Sequence, residues 1–179
     1  HDQQIREMQS ERSELERELY LQALHKTASM SLIQYEVSNF AKADFQSRSN
    51  LKVWDGQPYL GLGCGAHSFD GVNRWGNVRS MRKYMESVGR EEPPRDFMET
   101  PTRLQRASER LMLSLRRPEG LNILSWQEEF QIGLSLEQKN QMEKLKDQDL
   151  VSWESPILKL TTEGMLLADA ITAELMPEA

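Results

Sequence analysis

Cysteine occurs once in the 179 residues, as Cys64. A lone thiol closes no disulfide within the chain and supplies a single thiolate to a metal, which excludes a disulfide framework and an all-cysteine metal site. Positive charge is also in deficit. The 22 Lys and Arg against 28 Asp and Glu leave a net charge of −6, a field that repels phosphate backbones and anionic membrane surfaces. No nucleic-acid partner is therefore expected. No apolar run approaches the roughly 20 residues that a membrane-spanning helix needs, so no membrane span is expected either. The N-terminus lacks the basic-then-apolar pattern of a secretion signal. Together with the single cysteine this points to a reducing compartment, the cytoplasm, with an organelle matrix fitting equally. Internal repeats and low-complexity tracts are missing. The chain opens on His1-Asp2-Gln3 with no initiator Met, which reads as part of something longer.

Against these absences stand clear periodic segments. Ile5, Met8, Leu15, Leu19 and Ala23 recur near helical spacing among Glu, Arg and Gln, predicting an amphipathic helix from Gln3 to about Lys26 whose stripe needs a partner surface. Ser31 to Phe40, SLIQYEVSNF, is short and rich in β-branched and aromatic residues, predicting one buried strand of an α/β unit. Ala41 to Asn50 reads as a loop. Tyr59 to Leu62 can begin another strand, with a turn at Asp70-Gly71, a return strand over Arg74 to Val78 and a short helix over Met81 to Val88. The charged, proline-bearing stretch from Gly89 to Pro101 predicts a linker. Beyond it, Leu104, Ala107, Leu111 and Leu115 mark a helix face ended by Pro118 and Gly120, and Ser125–Gln131 and Leu136–Leu145 read as two further helices. Val151–Trp153 and Ile157–Leu160 read as a hairpin. A last helix capped by Thr161 or Thr162 carries Leu167, Ile171 and Leu175. Helices, hairpin and helix in this order resemble a winged-helix module.

YLGLGCGAHSF, from Tyr59 to Phe69, places Gly61, Gly63 and Gly65 in alternation. Residues without a Cβ weaken strand packing and let a backbone or ligand approach closely. The stretch therefore reads either as a pocket wall, with His67 and Ser68 adding polar groups, or as a tightly packed turn. Cys64 and His67 form a Cys-x-x-His pair, too few ligands for a structural zinc site, so no metal site is assigned and a small buried thiol is the expected role of Cys64. Catalytic residues are not assigned.

QYEVSNFAK, SNLKVW, YLGLGCGAHSF, ERLMLSLRRPEGL and LKLTTEGMLLADAITAEL, in this order, resemble the motifs of the HemN/HemW group of radical S-adenosylmethionine proteins. That group holds oxygen-independent coproporphyrinogen III oxidases and haem chaperones. The resemblance runs from about Gln34 to Leu175 and points to the C-terminal half of such a protein, nearest the HemW side. It implies an α/β fold in which residues 1–88 end a partial (β/α) barrel, 89–101 link, and 102–179 form a mainly α HemN-type C-terminal domain with the winged-helix-like hairpin. It implies S-adenosylmethionine and a four-iron four-sulfur cluster in the parent, the cluster on a CxxxCxxC loop that this chain lacks, so that the chain alone would be inactive. Gly63, Gly65, Ala66, His67 and Ser68, with Glu36 and Asn39 at the barrel mouth, become the candidate cofactor-binding residues. Haem or porphyrin is a further candidate ligand. SNLKVW falls where the family carries HNxxYW, leaving Asn50 and Trp54 in place but Ser49 at the histidine position and Val53 at the tyrosine position.

The expected partner is the remaining barrel half or, failing it, a second copy of the chain, because a partial barrel leaves strand edges and a helix face unpaired. Two other readings compete: a stand-alone, non-catalytic module for haem handling or protein interaction, and a winged-helix DNA-binding protein. The DNA reading is weakened by its own recognition segment, Leu136 to Leu150. There Lys139, Lys144 and Lys146 are offset by Glu137, Glu143, Asp147 and Asp149.

Overall fold

The computed structural model describes residues 2–177, with side chains from residue 13 onward. Helix α1 (Asp2–Ser29) leads into β1 (Ile33–Glu36), β2 (Asn39–Ala41) and α2 (Arg48–Trp54). A meander follows, β3 (His67–Phe69), β4 (Arg74–Asn77), then α3 (Met81–Gly89) and β5 (Arg95–Glu99). The remainder is α4 (Arg103–Leu115), β6 (Leu121–Asn122), α5 (Ile123–Phe130), α6 (Leu136–Asp147), β7 (Val151–Glu154), β8 (Ile157–Leu160), α7 (Thr162–Leu166) and α8 (Ala168–Glu174). Three small sheets result, ordered β1-β2, β3-β4-β5 and β6-β8-β7, and every pairing described in them is antiparallel.

The apolar residues divide sharply along the chain. All sixteen members of the buried core cluster lie between Ala107 and Leu175. Of the seventeen large apolar side chains exposed among the described residues, fourteen lie at or before Met98. The C-terminal portion thus has its own core, whereas the segment before residue 100 presents apolar surface outward. Within the core, Trp126 is 2% exposed and donates its Nε1–H to the Ala107 carbonyl at 3.0 Å, so its one polar atom is satisfied where water is excluded. Reciprocal caps start two of the core helices. Thr102 pairs with Gln105 at α4, and Ser135 with Gln138 at α6. Gln138 is itself buried and donates onward to the Leu175 carbonyl, which ties α6 to the end of α8.

Several sequence expectations change. SLIQYEVSNF is not one strand but a hairpin, because the Glu36 carboxylate accepts the Ser38 N–H and the Gln34 side-chain amide donates to the Val37 carbonyl, closing a tight turn. The loop expected over 41–50 is shorter, since the Ser47 hydroxyl caps α2 and SNLKVW is helical. Residues 89–101 are not merely a linker. After Pro93-Pro94 the chain is extended, and Arg95–Glu99 pairs with β4 as a third strand. On α1, Leu15, Leu19 and Ala23 are exposed, and Tyr20 packs on the C-terminal core instead. Ile5 and Met8 lie outside the described side chains. Leu136 is 74% exposed. The final helix breaks at Leu167, which is exposed, while Ile171 and Leu175 are buried as expected.

Candidate functional site

The glycine loop hangs between two short pairings. Tyr59 and Phe69 exchange backbone hydrogen bonds at 2.8 and 2.9 Å, and β3 then pairs with β4. Inside this frame nearly every glycine group is held. The Gly61 N–H donates to the Ser68 hydroxyl at 2.9 Å, the Gly63 N–H to the Tyr84 hydroxyl at 3.1 Å, and the Gly65 N–H to the Val78 carbonyl at 3.0 Å. Asn77 donates its side-chain amide to the Gly61 and Gly63 carbonyls at 3.3 and 2.9 Å. Ser68 and Asn77 are both buried, so these bonds form where competing water is scarce.

The glycines have separate physical reasons. A Cβ on Gly61 would lie 2.1 Å from the His67 carbonyl oxygen, so only glycine permits that approach of the two strands. Gly63 and Gly65 adopt φ of 100° and 69°, a region glycine enters without steric penalty. What the loop offers outward is therefore not glycine N–H groups, which are consumed internally, but Leu60 and Leu62, 71% and 81% exposed. These two leucines line a hollow of about 220 Å³ together with Trp75, Tyr84, Pro93 and Arg95. Arg95 lies over the Trp75 ring at 4.8 Å.

The other sequence candidates are dispersed. His67 is exposed and meets the Phe97 ring edge-on at 5.5 Å. Cys64 is half-buried rather than fully buried, and Gly63, Gly65 and Ala66 are partly exposed. Glu36 is 1% exposed and Asn39 is exposed beside it across the hairpin register. The side-chain hydrogen bonds described for that hairpin stay within it or reach Tyr20 of α1. On α2, Ser49 is exposed, Asn50 and Trp54 are half-buried, and the Asn50 N–H is used by the Ser47 cap. No group of three or more His, Cys, Asp or Glu that could hold a metal occurs among the described residues. Asn77 and Tyr84, which brace the loop, were not singled out in the sequence. Tyr84 falls on an amphipathic helix and reads there as packing, and Asn77 closes a strand with no local pattern.

Ionic contacts join the two ends of the chain. Arg17 of α1 grips Glu163 of α7 with two hydrogen bonds of 2.9 and 2.5 Å, and this bond from Arg17 holds the Glu163 carboxyl below the ordinary carboxylate value. Arg110 of α4 donates to the Asp55 carbonyl at 2.8 Å, and Arg117, in the turn just after α4, pairs with the Asp55 carboxylate. Arg74 of β4 binds Glu99 and Glu109. Burial disfavours its charged guanidinium, but the two glutamates more than offset this and raise its pKa above the ordinary value. At the β3–β4 turn, backbone N–H groups of Asn73 and Val72 hold the Asp70 carboxyl below its usual range. On α6 and the turn after it, Lys139, Lys144 and Lys146 are exposed amid equally exposed Glu137, Glu143, Asp147 and Asp149. No basic stripe forms there.

Among the described residues no helix is long and apolar enough to cross a membrane. No protein-family model matches the chain. Two relatives are heme chaperone HemW proteins. That of Bacillus subtilis is 30% identical over 166 residues, 92% of this chain and 44% of the relative. That of Mycobacterium tuberculosis is 31% identical over 142 residues, 79% of this chain and 34% of the relative. The fold matches coproporphyrinogen III oxidase (HemN) from Escherichia coli, described as a radical SAM enzyme, with a TM-score of 0.69 at 16% identity over 87% of this chain and 39% of that one. The chain spans less than half the length of each of these proteins. Over that fragment-sized span the chain is similar in sequence to the HemW proteins and in α/β fold to HemN.

Proposed function

We propose that the chain is the pocket-wall and cover portion of a HemW-like, coproporphyrinogen-oxidase-like radical S-adenosylmethionine protein of haem metabolism. Residues 1–88 complete the end of a barrel, 89–101 connect, and 102–179 cover it. The braced glycine loop carries this reading. Ser68, Asn77 and Tyr84 fix its backbone while Leu60 and Leu62 stay exposed, which suits a preformed apolar wall better than a flexible turn. The exposed apolar residues before residue 100 favour cover by further polypeptide, the rest of the barrel or a second copy.

The residues present do not fit an iron–sulfur cluster, because one cysteine cannot supply three thiolates. No chemical step is assigned to it here. S-Adenosylmethionine fits better. Bound beside a cluster, it supplies the radical chemistry for which the family is named. This chain's part is to shield and orient it. Leu60 and Leu62 contribute apolar surface, Gly63, Gly65 and Ala66 a close backbone approach, and exposed His67 a polar group at the strand end, while buried Ser68 acts behind the wall by holding the Gly61 N–H. On the hairpin, exposed Asn39 is the residue able to face the mouth, and buried Glu36 serves it only by holding the turn. A cytoplasmic or organelle-matrix setting agrees with a half-exposed free thiol.

Ligand-observed saturation-transfer NMR tests the wall. With the chain in solution, S-adenosylmethionine should receive saturation, and Leu62→Asp should abolish the transfer. Equal transfer to the variant, or none to either protein, overturns the assignment.

A second reading is haem handling without catalysis. It is favoured by the exposed imidazole of His67 three residues from a half-exposed thiol, and by the relatives named as heme chaperones. Ser49 is not a usual axial ligand, so His67, Cys64 or a methionine would have to replace the histidine of the HNxxYW position beside Asn50 and Trp54. A saturable haem spectrum lost in His67→Ala supports this reading. No spectral change at stoichiometric haem rejects it.

A further inference from the structure

A second hollow lies away from the glycine loop's exposed leucines, where the end of α2 and the meander meet α4. It measures about 220 Å³ and is walled by Val53, Tyr59, Phe69, Met112 and Leu113, with the Arg74–Glu109 pair at one side and Pro101 closing another. Gly56, in the turn after α2, completes it at a φ of 64°. Neighbouring elements hold these walls in place. Arg110 of α4 and Arg117 just beyond it fix Asp55 next to Gly56, and the Tyr59–Phe69 bridge fixes the two aromatic residues.

Its polar groups select the ligand. Arg74 already donates to Glu99 and Glu109, at 2.8 Å to each, and so has little left for an anion. Arg74 is shared between Glu109 on the wall and Glu99 outside the hollow, so it does not by itself saturate the Glu109 carboxylate. Glu109 uses Oε1 for Arg74, is partly exposed, and retains acceptor capacity toward the hollow. Arg106 and Arg110 lie on the adjoining side of α4, where Arg110 is committed to the Asp55 carbonyl and faces Glu129 at 3.8 Å. The volume is below the range of roughly 300–1,000 Å³ for drug-sized ligand pockets, so a single small ring system fills it and a tetrapyrrole does not.

We infer that this junction hollow is a binding site for a small aromatic molecule, neutral or cationic, whose ring packs between Phe69, Tyr59 and Leu113 and whose N–H donor faces Glu109. The site shares Tyr59 and Phe69 with the base of the glycine loop but not the exposed Leu60 and Leu62, and does not depend on the function proposed for them.

Benzamidine, indole and benzoate, rings of similar size carrying positive, zero and negative charge, test it directly. The readout is the ε-methyl signal of Met112 in chain labelled with ¹³C-methyl methionine. Benzamidine and indole should shift Met112 saturably with a Kd of roughly millimolar order, as expected of so few atoms. Benzoate should bind at least about tenfold more weakly, since a charge-assisted hydrogen bond is lost and a like charge faces it. Glu109→Gln should narrow the benzamidine–benzoate gap, and Leu113→Trp should fill the hollow and remove all shifts. Should Leu113→Trp fail to fold, the Glu109→Gln arm still decides. No saturable Met112 shift with benzamidine or indole, or benzoate binding as tightly as benzamidine, overturns the proposal. So does a Met112 signal that moves with protein concentration before any ligand is added, which would assign the hollow to a second copy of the chain.

Discussion

Asn77→Ala removes the side chain that spans the glycine loop. Its amide donates to two carbonyls, Gly61 and Gly63, from a position 7% exposed. At about 0.5–1.5 kcal/mol net for each hydrogen bond, the loss comes to about 1–3 kcal/mol. The 3.3 Å bond to Gly61 belongs at the low end and the 2.9 Å bond to Gly63 at the high end. The substitution also leaves both carbonyls without that donor in a half-buried site. Because the bonds are confined to the loop and β4, the effect should be read locally as well as globally. Amide hydrogen exchange should accelerate at Gly61 and Gly63, whose N–H groups are held by Ser68 and Tyr84 only while the loop keeps its shape. In thermal melts, each kcal/mol should lower Tm by about 2–4 °C for a chain of this size. Tyr84→Phe is the matched control, removing only the acceptor for the Gly63 N–H and costing about half as much. An Asn77→Ala chain with unchanged exchange at both glycines and stability within about 0.5 kcal/mol would refute the idea that this side chain braces the wall.

Other consequences follow from the same geometry. Gly120 has a φ of 71°, and an added Cβ would lie 2.3 Å from the Leu158 carbonyl oxygen, so Gly120→Ala should destabilise the C-terminal portion by about 2 kcal/mol or more in urea unfolding. The Glu163 carboxyl titrates below its ordinary 4.5, so the Arg17–Glu163 clasp stabilises the folded chain above that pH and is lost as pH falls through the depressed folded value. Limited proteolysis of α1 should accelerate across that acidic window in the wild type and show no such dependence in Glu163→Gln. Asp55→Asn and Arg117→Gln should not be additive. A double-mutant cycle should return a coupling of about 1 kcal/mol, weakened by salt because Asp55 is 42% exposed.

The sequence was most legible where burial and periodicity agree. Ala107, Leu111 and Leu115 fall on one helix face and are buried there, and the hairpin of Val151 and Leu160 follows from alternating apolar residues around a proline turn. Capping chemistry placed the start of α7, since Thr161 stands just before a helical run; the Thr102 cap of α4 has the same form but emerges only from the structure. Reading failed where polar side chains act on the backbone at short range. Glu36 and Gln34 close a turn inside what looks like one apolar strand, and Pro93-Pro94 precedes a strand rather than a free linker. On α1 the apolar stripe of Leu15 and Leu19 is clear in sequence, yet the helix docks through Arg17 and Tyr20. Periodicity identifies an apolar face but not whether the surface it needs is present. The alternation of glycines in the loop is legible in the sequence, and the way their backbone groups are held is not. The groups that satisfy their N–H donors, Ser68, Tyr84 and Val78, come from seven to twenty-one residues away and leave no local pattern.

A chain that serves as wall and cover belongs with a cluster-bearing barrel. The coding sequence immediately upstream of the His1 codon tests that most directly. An in-frame barrel segment carrying CxxxCxxC is the predicted result, and it would give the apolar surface before residue 100 its cover. A stop codon followed by a start site at that boundary, with no cluster-bearing partner chain, would contradict the account and leave haem or protein binding by a free-standing module as the function to pursue.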